Sequence, residues 1–170
     1  LQFYSGSGDA IDAHAAVSEC VREALGDDRH CELIIIYVTM GHEFEEVLSA
    51  IASAVPGARV VGCTCAGIIT GKGANESMRA LALMAVRGQY EEVAVTSVHN
   101  IIDVPPYDLG VQVAQDLRSQ NPDITLMMVH PSILDCQPAD ELIQGVESVL
   151  PNVGIFGGLA NDNMRLTSNA

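Results

Sequence analysis

Short unbroken apolar runs alternate along this chain with longer stretches in which apolar residues recur every three or four positions. The helical spacing is clearest at Ala10, Ala13, Val17, Cys20, Val21 and Ala24, which predicts a helix over Ala10–Leu25 with Asp9 as N-cap and Gly26 as its stop. A second helix carries Phe44, Val47, Leu48, Ile51 and Val55 and ends at Pro56. A third follows Pro105-Pro106, over Tyr107–Arg118, although Gly110 lies inside it. A fourth carries Ala139, Leu142, Ile143, Val146 and Val149 and ends at Pro151.

The continuous runs between these helices are rich in β-branched residues and read as strands buried on both faces. They are Leu1–Tyr4, Leu33–Val38, the run from Val60, Val93–Val98, Ile124–Val129 and the run from Val153. Arg79–Val86 and Glu92–Val98 have only Arg87-Gly88-Gln89-Tyr90-Glu91 between them, which predicts an antiparallel pair. Thr70–Ser77 is rich in glycine and polar residues and reads as a loop, a candidate flap. The fold class that follows is α/β: mixed β-sheets covered by helices. Two pseudo-repeated βαβαβ units, approximately 1–78 and 92–162 of a single 1–170 domain, are joined by the antiparallel pair. Strand Leu33–Val38 corresponds to Ile124–Val129, and Val60–Gly67 to Val153–Asp162.

Charge and composition narrow the partners. A formal charge of −14 with only 8 Lys+Arg argues against nucleic acid and anionic membranes, which need clustered cations. Aromatic residues at 4%, with no Trp, make a base-stacking surface a poor expectation. No apolar run approaches the ~18 residues of a membrane span, and Leu1 opens on a strand without a signal-peptide pattern. Five cysteines, an odd number in neither a disulfide nor a paired CxxC pattern, fit a reducing compartment. The expected location is the cytoplasm.

Chemistry in sheets of βα units collects beyond the carboxyl ends of the strands. Those ends read Ser5-Gly6-Ser7-Gly8, Thr39-Met40-Gly41-His42, Cys63-Thr64-Cys65-Ala66-Gly67, His99-Asn100, His130-Pro131-Ser132 and Gly157-Gly158. As a set they suggest a binding cleft; singly, each glycine is better explained by tight turns and close packing. Cys63 and Cys65 would share a face of a strand, as a metal or redox pair requires, but two small buried hydrophobes is the better reading. Only Lys72 offers a cation that could depress a thiol pKa. His42, His99 and His130 each follow a strand, where a haem ligand or a general base could sit, while His14 and His30 read as solvated or packing residues. The run Gly67 to Gly71-Lys72-Gly73 has the wrong spacing for a phosphate loop, and no G-x-S-x-G or H-E-x-x-H occurs. The acidic pairs Asp27-Asp28, Glu45-Glu46 and Glu91-Glu92 read as solvated, and Leu1 cannot serve as an N-terminal nucleophile.

Two motifs carry a resemblance. Gly62-Cys63-Thr64-Cys65-Ala66-Gly67 matches a G-[CS]-[ST]-[ST]-[AG]-G pattern, and Ile155-Phe156-Gly157-Gly158-Leu159-Ala160-Asn161-Asp162 matches [VI]-F-G-G-x-A-x-[DN]. In this order they resemble the N-terminal domain of the FIST family of sensory proteins. Cys65 stands where that family more often has a hydroxyl residue, and Ile68 follows Gly67 where a Glu is frequent. The resemblance implies small-ligand sensing rather than catalysis, with amino acids among the proposed ligands. It also implies a C-terminal FIST domain beyond this chain and a downstream signalling partner. The expected ligand-binding residues are Cys63, Thr64, Cys65, Ala66, Gly67, Gly157, Gly158 and Asn161, lining a site between the two units. The alternatives are a haem-binding nitric-oxide sensor ligated by His42, His99 or His130, a hydrolase or transferase using Cys63, Thr64 or Cys65, and an interaction scaffold. A homodimer through surface meant for the missing half is a further expectation.

Overall fold

The computed structural model describes residues 1–99, 103–131 and 139–160. Its order is β1 (Gln2–Gly8), α1 (Ala13–Leu25), β2 (Leu33–Val38), α2 (Phe44–Ala54), β3 (Arg59–Thr64), β4 (Ile68–Thr70), β5 (Gly73–Asn75), β6 (Leu81–Arg87), α3 (Pro106–Gln120), β7 (Leu126–Val129), α4 (Ala139–Val149) and β8 (Gly154–Gly157). The fold is mixed α/β, and it divides into two compact units at Tyr90/Glu91.

In the first unit the four-stranded sheet has the order β1-β6-β2-β3. Strands β2 and β3 run parallel, with Ile36 opposite Gly62 and Val38 opposite Thr64. Strand β6 runs antiparallel to both of its neighbours, β1 and β2. One face of the sheet buries Ile34, Ile36, Val38, Leu81, Leu83 and Ala85 against Val17, Cys20 and Val21 of α1 and Val47 and Ile51 of α2. These are the positions that helical and strand periodicity bring to a common face, and their burial supplies most of the driving force for this unit.

Strand β1 is longer than its apolar run, extending to Gly8 opposite Leu81. Ladder hydrogen bonds need no apolar side chain, and a Cβ on Gly6 would collide with the Cys20 carbonyl. The small residues here let α1 lie close on the strand. Helix α1 consequently starts later than its spacing suggests, at Ala13, and Asp12 rather than Asp9 caps it by accepting from the Ala15 N–H at 2.9 Å. Gly26 closes it, its N–H donating to the Arg22 carbonyl.

Two further expectations change. The predicted loop Thr70–Ser77 contains half of a two-stranded hairpin, β4 with β5. Thr70 builds its turn: the hydroxyl accepts from the Lys72 N–H at 3.2 Å and faces the Gly73 carbonyl at 3.5 Å. The predicted antiparallel partner Glu92–Val98 is not a strand; a 3-10 turn at Tyr90–Glu92 leads into irregular chain. Strand β6 has both edges occupied, so no ladder is open to a following strand. The Gln120 side chain satisfies Val95 instead, accepting from its N–H at 3.1 Å and donating to its carbonyl at 2.9 Å.

In the second unit β7 and β8 pair in parallel, Val129 opposite Gly157. Leu109, Ala114, Leu117, Met127, Leu142 and Val146 form its core. Gly110, which weakened the helical pattern, is what the packing requires. A Cβ there would collide with the Leu142 carbonyl, and one on Gly145 with the Tyr107 carbonyl. The two glycines let α3 and α4 approach backbone to backbone, which outweighs the propensity cost of about 1 kcal/mol per glycine.

Candidate functional site

In the first unit the parallel strands β2 and β3 end side by side, and the Cys63–Gly67 motif carries the chain out of β3. The Cys65 N–H still donates to Val38 O at 2.9 Å, so the ladder runs one residue past the strand. Cys63 is buried in register with Tyr37. Burial pushes its thiol up to about 11, and neighbouring Cys65 adds to the effect. Cys65 is half-buried and its thiol is also raised by burial, against a lowering backbone hydrogen bond from Gly67. Tyr37 is raised by burial and by these two sulfurs. Such thiols stay protonated at neutral pH, the wrong direction for a nucleophile. Lys72 lies elsewhere, on Glu23.

Thr64 is different. Its hydroxyl is buried and finds no hydrogen-bond partner among the described residues, a condition that costs on the order of 1–3 kcal/mol. Ala66 is exposed, and Gly67 lies where a Cβ would come within 3.2 Å of the Asn75 carbonyl at the hairpin base. The strand-end segment Thr39–His42 ties the next turn down: the buried Thr39 hydroxyl donates to Ser77 O at 2.8 Å, and His42 Nε2 meets Arg79 O at 3.1 Å.

In the second unit Gly157 and Gly158 end β8. Gly157 has φ +148, and a Cβ there would collide with Val129 O; its missing side chain serves the strand pairing. Gly158 has open space, its N–H donates to Val129 O at 3.2 Å, and its carbonyl faces His130 Nδ1 at 3.2 Å. His99 Nε2 lies 3.4 Å from Ser97 Oγ. Asn161, Asp162, Asn100 and Ser132 lie outside the described residues. The structure thus brings Cys63 and Cys65 beside Tyr37 in one unit and Gly158 beside His130 in the other.

A cleft of about 520 Å³ opens in the first unit at the carboxyl end of β1. Ser7, Gly8 and Asp9 form its floor, Glu19, Arg22 and Glu23 of α1 one wall, and Ile68, Thr70 and Lys72 to Asn75 of the hairpin the other. Lys72 Nζ reaches Glu23 Oε2 at 2.7 Å and Ser7 Oγ at 3.3 Å. The Ser7 N–H donates to the same carboxylate oxygen at 2.9 Å. The Lys72 ammonium, then the Ser7 amide, hold the Glu23 carboxyl below its ordinary range. Strand-end reasoning pointed to Ser7-Gly8 but missed Glu19, Arg22, Glu23 and Asn75. Their only signal was Glu19 and Glu23 one helical turn apart, opposite a Lys-bearing glycine loop.

The cleft does not suit a haem. Its walls are charged, and none of His42, His99 or His130 lines it. Among the described residues no cluster of three His, Cys, Asp or Glu could hold a metal ion. No described helix is long and apolar enough to cross a membrane.

A family model described as the FIST N domain matches residues 32–170. No curated protein matches the chain. The matched span starts just before β2 and contains both small-residue motifs and the hairpin, while β1 and α1 precede it. With most of its length matched in this way, the chain belongs to the FIST family of sensory and signal-transduction domains.

Proposed function

We propose that this domain senses a small polar molecule, bound at the carboxyl end of the first unit's sheet. The observation that carries the reading is the cleft of about 520 Å³, within the ~300–1,000 Å³ range of small-molecule sites. It lies where ligands collect in βα sheets, and three carboxylates, two cations, two hydroxyls and an amide line it. Amino acids, with one charge of each sign, are the first ligands to try. The Cys63–Gly67 motif acts as the support of one wall, since Gly67 hands the chain directly to Ile68, which lines the cleft. The bound state is passed to a C-terminal FIST domain and a signalling partner in this reading, in a cytoplasmic protein with no catalytic step.

The test is a thermal-shift screen of the twenty amino acids and common small polar metabolites against the full chain, repeated on Glu19→Gln and Arg22→Gln. A ligand at 100 times its Kd stabilises by about 2.7 kcal/mol, so a hit should raise Tm by several degrees and lose most of that in both variants. If nothing shifts the wild type, or every hit survives both substitutions, the cleft is not the sensor site.

A further inference from the structure

We infer that the β4–β5 hairpin is a gate on this cleft and that Lys72 is its latch. The inference deepens the reading of the cleft as the sensor site and rests on it. Among the described residues the hairpin's two strands pair only with each other, so no ladder there ties it to the main sheet. Ile68 is its buried anchor, at 5% exposure, whereas Ile69 is 87% exposed and Gly71 to Ala74 all face solvent. At its base Gly67 has no side chain, and the turn Gly71-Lys72-Gly73 has glycine on both sides of the lysine. From that tip Lys72 crosses to Glu23 on the opposite wall and Ser7 on the floor.

The latch has a receiving side that is already built. Glu23 is held in place by the Ser7 backbone N–H, so the carboxylate does not have to be recruited when the hairpin swings. Glu19 and Glu23 stand one turn apart on α1 and repel each other unless a cation sits between the hairpin and the helix. Lifting Lys72 leaves Asp9, Glu19 and Glu23 with Arg22 as the one cation among the residues that line the cleft. A positively charged group on an entering ligand replaces Lys72 on Glu23 and leaves the gate free to move. The pair is largely solvent-exposed, with side chains at 65% and 38%. It is therefore a weak fastening, worth at most about 1 kcal/mol.

Hydrogen–deuterium exchange of the full chain without ligand tests the gate separately from the cleft's occupancy. Lys72→Met and Glu23→Gln should each speed exchange in peptides covering 68–75 by up to about 5-fold, the worth of an exposed ion pair, with α1, β2 and β6 unchanged. Raising salt to 1 M should do the same in the wild type and little in either variant. Unchanged hairpin exchange in both variants overturns the latch, and acceleration spread evenly over the first unit overturns the gate. A failed ligand screen with local hairpin acceleration would instead remove the sensor reading and leave the gate standing.

Discussion

The two units make the same turn with different chemistry. In the first, Arg59 N–H donates to Glu32 O at 3.1 Å and Cys65 N–H to Val38 O at 2.9 Å; in the second, Gly154 donates to Thr125 O at 3.0 Å and Ala160 to Pro131 O at 2.9 Å. Between those bonds Gly62 and Gly157 occupy the same place, with φ +156 and +148, each against the carbonyl of its register partner, Ile36 or Val129. The helices before them end alike too, Val55 on Ile51 and Leu150 on Val146. Where backbone geometry decides the residue, the units agree. Where side chains are left over, they part: Tyr37, Cys63, Thr64 and Cys65 at one strand end, His130 and Gly158 at the other. What is shared is architectural, and functional claims belong to what is not shared.

The largest effects should come from the shared glycines. Gly62→Ala and Gly157→Ala each force a side chain into a carbonyl at a φ that L residues rarely adopt, so each should cost about 3 kcal/mol. Urea unfolding followed by exchange should place the loss in the first unit for Gly62→Ala and in the second for Gly157→Ala. If one is severe and the other neutral, the correspondence of the two turns is broken.

A smaller contrast is expected in alkali. Burial pushes Cys20 up to about 12 and Cys63 to about 11, while unfolded thiols titrate near ~8.5. Their folded pKa values are raised, so the stability they contribute is complete below the unfolded pKa and declines as pH rises toward the folded ones. Between pH 8 and 11 the wild type should lose more stability than a Cys20→Ala/Cys63→Ala variant, by urea midpoints, with the excess confined to the first unit. Parallel decline in both proteins would show that these thiols are not desolvated as described.

The smallest effect sharpens the comparison most. Thr64→Val removes a buried hydroxyl without a partner among the described residues and keeps its shape, so the unliganded protein should be unchanged or up to about 1 kcal/mol more stable. If that variant loses a ligand response that Thr64→Ser retains, the hydroxyl belongs to the sensor. Destabilisation by more than about 1 kcal/mol would mean that the hydroxyl is satisfied in solution.

Much of the fold was legible because helical and strand periods are local. Phe44–Ala54 and Leu33–Val38 come out within a residue of their patterns, since nearly every buried position on them is apolar and nearly every exposed one polar or small. The misreadings occurred where a residue's partner is distant in sequence. Asp9 and Asp12 are equally good caps until β1 is known to run on to Gly8, and Glu92–Val98 looks like a strand until both edges of β6 are filled. Gly110 only weakens the helical pattern of Tyr107–Arg118 in the sequence, and its reason appears when α4 is set against it. The candidate site divides in the same way. Its strand-end positions at Ser7-Gly8 follow from βα grammar, but a cleft needs two walls, and Glu23 and Lys72 are 49 residues apart.

The order of apolar and polar residues was enough for the helices, most of the strands, the α/β class and the family motifs, because each is read from residues only a few positions apart. Only the tertiary structure decided which glycines serve packing, which carboxylate meets Lys72, and where a cleft opens. Those outcomes depend on backbone segments brought together by burial elsewhere, and no local pattern encodes the distance between them.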